Sequence, residues 1–389
     1  MENLSKEYKN LLPRGTFIQG LAKLRDALPN QIHAKFDEHV RCMVRDLSTE
    51  VGKMLHNLDE EKHSITQVQK VIRAFPSALL CLNCKAWIPI QSCAQSVKSV
   101  RFVPLLADEA MLSHVNGRNG RGGLKMKYST LVHTPNVLQV LCQMKSIEKS
   151  SAVDRTYVEV LKILQSKKLL KAKDLNKYNL LYASCDIACK SRFEFLLKWN
   201  KKKLKENHCG EPFIHSTITS KTNGPGSFAL TLSKTIKYFP RDLGLLFQTN
   251  DRKETTFDVA IQFYGKEKTF QIIKECIPTS KNLPILHHVI RSVPEYLNDF
   301  AMRYPSSIYK RDENGRLFHH LALECGVNLL NNPMMILQMS EATIEEIDPV
   351  TGLLPFMIVA NSQDNDLSTC YHLLRRSPSS IYDALWTRT

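Results

Sequence analysis

Cys81-Leu82-Asn83-Cys84 sets two thiols two residues apart, and Cys93 lies nearby. That gap suits half of a tetrahedral zinc site, since zinc accepts thiolates in Cys-x-x-Cys pairs. No second cysteine or histidine pair follows at finger spacing. The ligand set is therefore incomplete, and the expectation is no metal, with the thiols packing as small hydrophobes. His287-His288 and His319-His320 are the other ligand-type pairs, and Cys209 with His208 and His215 makes a looser cluster.

Gly117-Arg118-Asn119-Gly120-Arg121-Gly122-Gly123 has the composition of a phosphate-cradling loop. It lacks the Gly-Lys-Ser/Thr ending, and no strand pattern precedes it, so neither a P-loop nor a dinucleotide fingerprint is met. A flexible insertion is expected there, and the turn-forming loop from Lys221 to Ser227 needs no ligand either. Lys198, Lys201, Lys202, Lys203 and Lys205 cluster around Trp199, with Lys167, Lys168, Lys171 and Lys173 upstream. Such lysines can pair with phosphates beside an aromatic stacking platform, or serve as an import signal. Runs of this kind also commonly face water, with the indole in the core. No nucleophile elbow, zincin helix, kinase loop or paired carboxylate motif occurs, so no catalytic residue and no cofactor are assigned.

The chain has 389 residues, 43% hydrophobic and 23% charged, which is ordinary for a folded protein. Its formal net charge of +15 favours acidic partners such as nucleic acid, anionic surfaces or acidic proteins. The opening residues carry charges of both signs and no apolar run, so no signal peptide is read. No stretch reaches the ~20 apolar residues of a membrane span. Eleven scattered cysteines then fit reduced thiols in a cytoplasmic or nuclear protein.

The elements that position these residues recur. Residues 304–326, 348–362 and 247–265 each show a polar turn followed by apolar residues at helical spacing. In Arg311-Asp312-Glu313-Asn314-Gly315-Arg316, Asp and Asn can bond their own backbone, and Gly315 suits a positive φ. Phe318, Leu321, Ala322 and Cys325 then make one buried stripe, as do Leu297, Phe300, Ala301 and Tyr304 on a second helix. Phe75-Pro76, Phe239-Pro240, Tyr304-Pro305 and Ser377-Pro378 close helices as elbows; Ser-Pro phosphorylation is the alternative reading. A unit this small cannot bury its apolar face alone, so neighbours must stack. Residues 1–66 lack the pattern but show helical spacing at Leu21, Leu24, Ala27 and Leu28, and at Val51, Met54 and Leu55.

The unit resembles the ankyrin repeat, whose first helix opens Thr-Pro-Leu-His-x-Ala after a turn. Ile88-Pro89-Ile90-Gln91 and Leu354-Pro355-Phe356-Met357 keep the proline. Pro284-Ile285-Leu286-His287 and Leu317-Phe318-His319-His320 keep the histidine, and Thr255-Thr256-Phe257-Asp258-Val259-Ala260 keeps threonine and alanine. Weaker copies begin near Asn136, Asn179 and Pro212. The steps are uneven and on average exceed the ~33 residues of an ankyrin unit. The resemblance implies that the histidine bonds neighbouring backbone and fixes the turn.

The expected fold is all-α: an ankyrin-like helical-repeat solenoid of about eight units over residues 67–389, capped by helices in 1–66. Its expected work is non-catalytic protein binding through turn tips and inner helix faces. Arg252, Lys253, Arg311, Glu313 and Arg316 are the exposed contact candidates. The competing reading is a nucleic-acid-associated protein using the lysines around Lys201, and an enzyme without a visible motif is the third.

Overall fold

The computed structural model describes residues 16–113, 121–129, 134–144, 151–186, 189–208, 211–219, 224–277, 283–326, 341–362 and 367–378. These are mostly helical. Among them, strand pairing is confined to one two-residue ladder and three isolated bridges. No helix among the described residues is long and apolar enough to cross a membrane. The chain divides into two compact units, Met1–Lys201 and Lys202–Thr389.

In the first unit, α1 (Thr16–Asp26) is tied to α2 (His33–His56) by Arg25, which grips both Asp37 oxygens at 2.8 and 3.1 Å. α2 buries Val44, Gly52 and Leu55 and packs on the Pro76–Leu80 turn and on α4 (Pro89–Ala94). His56 fastens that contact, donating from Nε2 to the Cys81 carbonyl at 2.9 Å while Nδ1 meets the Ser92 hydroxyl at 2.8 Å. α3 (Ile65–Ala74) starts with a capping box, Ser64 and Gln67 each accepting the other's backbone N–H. It packs on α5 (Val103–Leu112). α6 (Val137–Gln143), α7 (Ser151–Ser166), α8 (Ala172–Lys177), α9 (Leu180–Ala183) and α10 (Lys190–Leu197) complete the unit. α4 packs on α6 and α6 on α9, while α7 packs on α5 and α10.

Arg192 is only 1% exposed, yet it is charged. Its Nε meets Asp154 at 2.7 Å, and its other nitrogens donate to the Leu141 and Met144 carbonyls at 2.9 and 2.7 Å. Those carbonyls are orphans of the α6 C-terminus, so a buried guanidinium from α10 caps a helix that could not cap itself.

The second unit opens with β1 (Asn207–His208) and β2 (Glu211–Pro212), paired antiparallel. α11 (Phe213–Thr219) and α12 (Pro225–Tyr238) follow, then α13 (Thr256–Tyr264), α14 (Lys266–Cys276), α15 (Ile285–Ser292) and α16 (Leu297–Arg303). α17 (Phe318–Glu324), α18 (Glu341–Ile344), α19 (Pro355–Ala360) and α20 (Leu367–Arg376) end it. α11 packs on α13, α15 on α17, α17 on α19, and α12 on α14. Phe257, Phe270 and Phe300 meet with ring centroids 5.0–5.5 Å apart at the centre of this core. Leu297, Phe300, Ala301 and Tyr304 are all buried.

The elbows are one device used repeatedly. Phe75, Phe239 and Tyr304 have φ/ψ of −132/70°, −132/60° and −129/57°. Each precedes a proline, whose ring excludes helical geometry from the residue before it. Ser379, Ser380 and Ile381 of the last elbow lie outside the described residues.

Neighbouring turn-and-helix segments are bonded by one helix position. Gln91 Nε2 donates to the Lys127 carbonyl at 2.8 Å, and Gln139 Nε2 to that of Tyr178 at 3.1 Å. His215, His287 and His320 do the same from Nε2, to the carbonyls of Gln248, Arg316 and Glu346 at 3.0, 3.0 and 2.9 Å. In the glutamines the second atom also works: Oε1 accepts the N–H three residues back, at Ile88 and Asn136. In His215 and His287 the residue three back is proline, which has no N–H, and Nδ1 has no partner. Donation to a carbonyl requires Nε2–H, so the neutral form of each ring is the Nε2–H tautomer. Burial pushes the pKa of His215, His287 and His320 below the ordinary range, against the opposing pull of each carbonyl bond. For His319 burial and the adjacent His320 lower it to about 3.

A histidine with a depressed folded pKa binds fewer protons folded than unfolded. Its contribution is intact above the unfolded value near 6.5 and erodes as pH falls below it, down to about 3 for His319. The expected acid limb steepens by up to about 1.4 kcal/mol per pH unit for each such histidine. His287→Gln should keep the carbonyl bond, lower the melting temperature at pH 8 modestly because its Oε1 finds no N–H at Pro284, and make the acid limb shallower. Melting curves between pH 8 and 5 check this; an unaltered limb in the variant refutes it.

Candidate interaction surface

Three turns share one backbone. Asn83 Oδ1 accepts the N–H of Lys85 at 2.9 Å and of Trp87 at 3.1 Å. Asn250 Oδ1 accepts those of Arg252 and Glu254 at 2.9 and 3.0 Å, and Asp312 Oδ1 those of Asn314 and Arg316 at 2.9 and 3.0 Å. The fourth residue has positive φ each time: Ala86 at 57°, Lys253 at 64°, Gly315 at 79°. Asp348 builds a turn one residue longer, with Gly352 at 68°. In each, the side-chain acceptor holds the backbone, leaving the second and third residues to project from the tip.

Arg252 and Lys253 are exposed on the Asn250 turn. On the Asp312 turn Glu313 is exposed and lies 3.6 Å from Arg241. Arg311 is half exposed; it pairs with Glu346 and donates to the Gly315 carbonyl at 3.0 Å. Arg316 is not a surface residue, contrary to its expected place. It is 4% exposed, and its Nε and Nη2 grip Asp348 at 3.0 and 2.9 Å, while Nη1 meets Glu324 at 2.5 Å. The cause is the turn itself: Asp312 draws in the Arg316 N–H, directing that side chain inward to the next turn's Asp348. Desolvation disfavours the Asp348 charge, but the bonds from Thr351 and Val350 and the Arg316 cation prevail and hold its pKa below the carboxylate range.

The lysine run divides between the two units. Lys198 and Lys201 end the first, with Trp199 half-buried against Phe195 at 5.8 Å. In the second, Lys203 pairs with Glu206 at 2.6 Å, and Lys205 with Asp242 at 2.6 Å, its Nζ lying 4.5 Å from the Phe239 ring centre. Leu204 is fully buried between them, and Lys202 is exposed. Lys203 and Lys205 are thus engaged by carboxylates of their own unit.

Cys81 precedes the Asn83 turn and Cys84 lies within it. No group of three His, Cys, Asp or Glu among the described residues is arranged to hold a metal. Cys209 lies outside the described residues. The arginine-glycine segment corrects the expectation of a flexible insertion where it is described: residues 121–123 are buried. Arg121 donates to the Leu169 carbonyl at 2.9 Å and pairs with Asp174. A Cβ on Gly122 (φ +63°) would stand 2.0 Å from the Ala107 carbonyl oxygen. Lys125 and Lys177, which sequence reasoning passed over, lie beside this pair; their only signal was a basic residue four positions earlier, Arg121 and Lys173.

A cleft of about 380 Å³ opens beside the end of α17, lined by Glu324, Cys325, Thr351, Leu353, Asn361 and Ser362. Burial and Glu324 push the Cys325 thiol up, which keeps it protonated and a poor nucleophile. No model of a known protein family matches this chain, and no curated protein matches it. The reading of the surface rests on its geometry.

Arg316→Ala would strand the buried Asp348 carboxylate, so it should destabilise the second unit by about 3–5 kcal/mol. Arg252→Ala should stay within about 0.5 kcal/mol. At the positive-φ position, Gly315→Val should cost about 1–3 kcal/mol through backbone strain. Lys253→Gly should be neutral or stabilising, since Lys253 already bears that strain. Urea titrations compare the four variants; equal losses at Arg252 and Arg316 would contradict these placements.

Proposed function

We propose that this protein is a non-catalytic scaffold that binds a protein partner through its turn tips. The observation that carries this reading is the turn built alike at Asn83, Asn250 and Asp312, with a side chain fixing the backbone and projecting residues that differ in every copy. A fixed loop on packed helices lowers the ordering cost of binding, and its free positions set specificity. Lys85, Arg252, Lys253, Arg311 and Glu313 are the contact candidates, together with inner helix faces.

The same reading treats the chain as an ankyrin-like α-solenoid with an N-terminal helical cap. It is supported by helices starting at Pro89, Val137, Leu180, Phe213, Thr256, Ile285, Phe318 and Pro355, of which those at Pro89, Thr256, Phe318 and Pro355 follow a side-chain-held turn. Successive packing within each unit, and the carbonyl bonds from the histidine-equivalent position, add to it. Free thiols suit an intracellular setting.

Affinity capture from nuclease-treated lysate at low and near-physiological salt tests the reading. The full chain should retain defined protein partners. The double variant Arg252→Glu, Lys253→Glu should lose at least one of them with an unchanged melting temperature. Capture that vanishes on nuclease treatment, or is indifferent to tip substitutions in every turn, overturns it.

A further inference from the structure

The buried Arg121–Asp174 pair joins two basic segments of the first unit. Asp174 accepts the Lys171 N–H at 2.8 Å, and Arg121 holds the Leu169 carbonyl at 2.9 Å, so the 121–127 turn is bolted to the start of α8. Lys125 stands four residues beyond Arg121, and Lys173 and Lys177 flank Asp174 on α8. Lys173 and Lys177 are exposed, Lys125 is half-buried, and i,i+4 neighbours on a helix lie about 5–6 Å apart at Cβ. The one carboxylate among them, Asp174, is 1% exposed and committed to Arg121. Among the described residues no other carboxylate forms an ion pair with Lys125, Lys173 or Lys177. Partial burial holds the Lys125 ammonium below its usual range, and Arg121, Lys177 and Lys173 oppose its charge further, against a smaller favourable pull from Asp174. Like charges gathered by a rigid pin, with their natural counter-charge withdrawn, are stabilised by an external anion.

We propose that Lys125, Lys173 and Lys177 form a docking site for the phosphate backbone of a nucleic acid. The cluster favours this over other acidic partners on two counts. Lysine is depleted at protein–protein interfaces, whereas it serves well as a point charge on phosphates. A membrane surface would draw on an apolar face, but the large apolar residue of α8, Leu175, is 3% exposed. The site has no base-reading geometry, so binding is sequence-independent and salt-sensitive. It is separate from the turn tips and does not depend on their role.

The test is fluorescence anisotropy on the full chain with a labelled single-stranded oligonucleotide, between about 50 and 200 mM salt. Vesicles containing phosphatidylserine and a polyglutamate peptide are the comparison probes. Lys125→Gln, Lys173→Gln, Lys177→Gln together should weaken oligonucleotide binding at least tenfold at low salt. They should also lower the log–log salt slope by about 2, three contacts at roughly 0.7 each. If the triple variant melts early, Lys173→Gln alone decides, with an expected slope change of about 0.7. An unchanged slope, no oligonucleotide binding by the wild type at low salt, or selective loss of vesicle or polyglutamate binding each overturns the proposal.

Discussion

Helices of four to nine residues cannot satisfy their own ends. An α-helix leaves four N–H and four C=O groups unpaired, so in α9 (Leu180–Ala183) or α19 (Pro355–Ala360) unpaired groups rival paired ones. Stacking such helices buries these groups, and each buried orphan costs about 1–3 kcal/mol. The structure depends on polar side chains that cross from one element to a carbonyl of the next. Gln91, Gln139, His215, His287 and His320 do so as neutral donors, and Arg121 and Arg192 as charged ones. Apolar burial supplies the attraction, and these bonds select which turn meets which helix.

At four of these five positions glutamine or histidine goes with the residue three before it; His320, which follows Leu317, is the exception. Where that residue offers an N–H, at Ile88 and Asn136, an amide uses both its ends: the oxygen closes its own helix and the nitrogen reaches out. Where it is Pro212 or Pro284, an amide oxygen would lack a donor, and imidazole leaves only one ring nitrogen idle. That idle nitrogen is also where a proton would enter, at a buried position with no acceptor in place for its N–H. Acid sensitivity in the second unit follows from the burial of His215, His287, His319 and His320.

Much of the helical pattern was legible in the sequence because it rests on local signals. Proline after an aromatic marks the elbows at Phe75, Phe239 and Tyr304, and Asx with a positive-φ position marks the turns at Asn250 and Asp312. The turn at Asn83 was masked by its cysteines, whose zinc-like spacing drew attention from the asparagine between them. Ala86 and Lys253 replace the expected glycine at positive φ, so composition alone understates how alike the turns are. Arg316 was misplaced for a different reason. A charged residue at a turn reads as exposed, and only the partner at Asp348, 32 residues later, makes its burial tolerable. Buried ion pairs join residues far apart in sequence, and periodicity carries no trace of them. The same holds for Arg121 with Asp174 and Arg192 with Asp154.

These pairs also bear on the charge of +15. Net charge counts every cation alike, whereas the structure sorts them. Arg121, Arg192 and Arg316 are internal, and their positive charge is cancelled where it stands. Lys203, Lys205 and Lys266 reach carboxylates on the surface, where such pairs contribute at most about 1 kcal/mol each and yield readily to a better anion. The field seen by a partner therefore comes from lysines such as Lys125, Lys173 and Lys177, whose nearby acid faces inward. Withdrawing an aspartate to pin a turn leaves its lysine neighbours uncompensated outside, so one buried ion pair both secures the fold and polarises the surface above it.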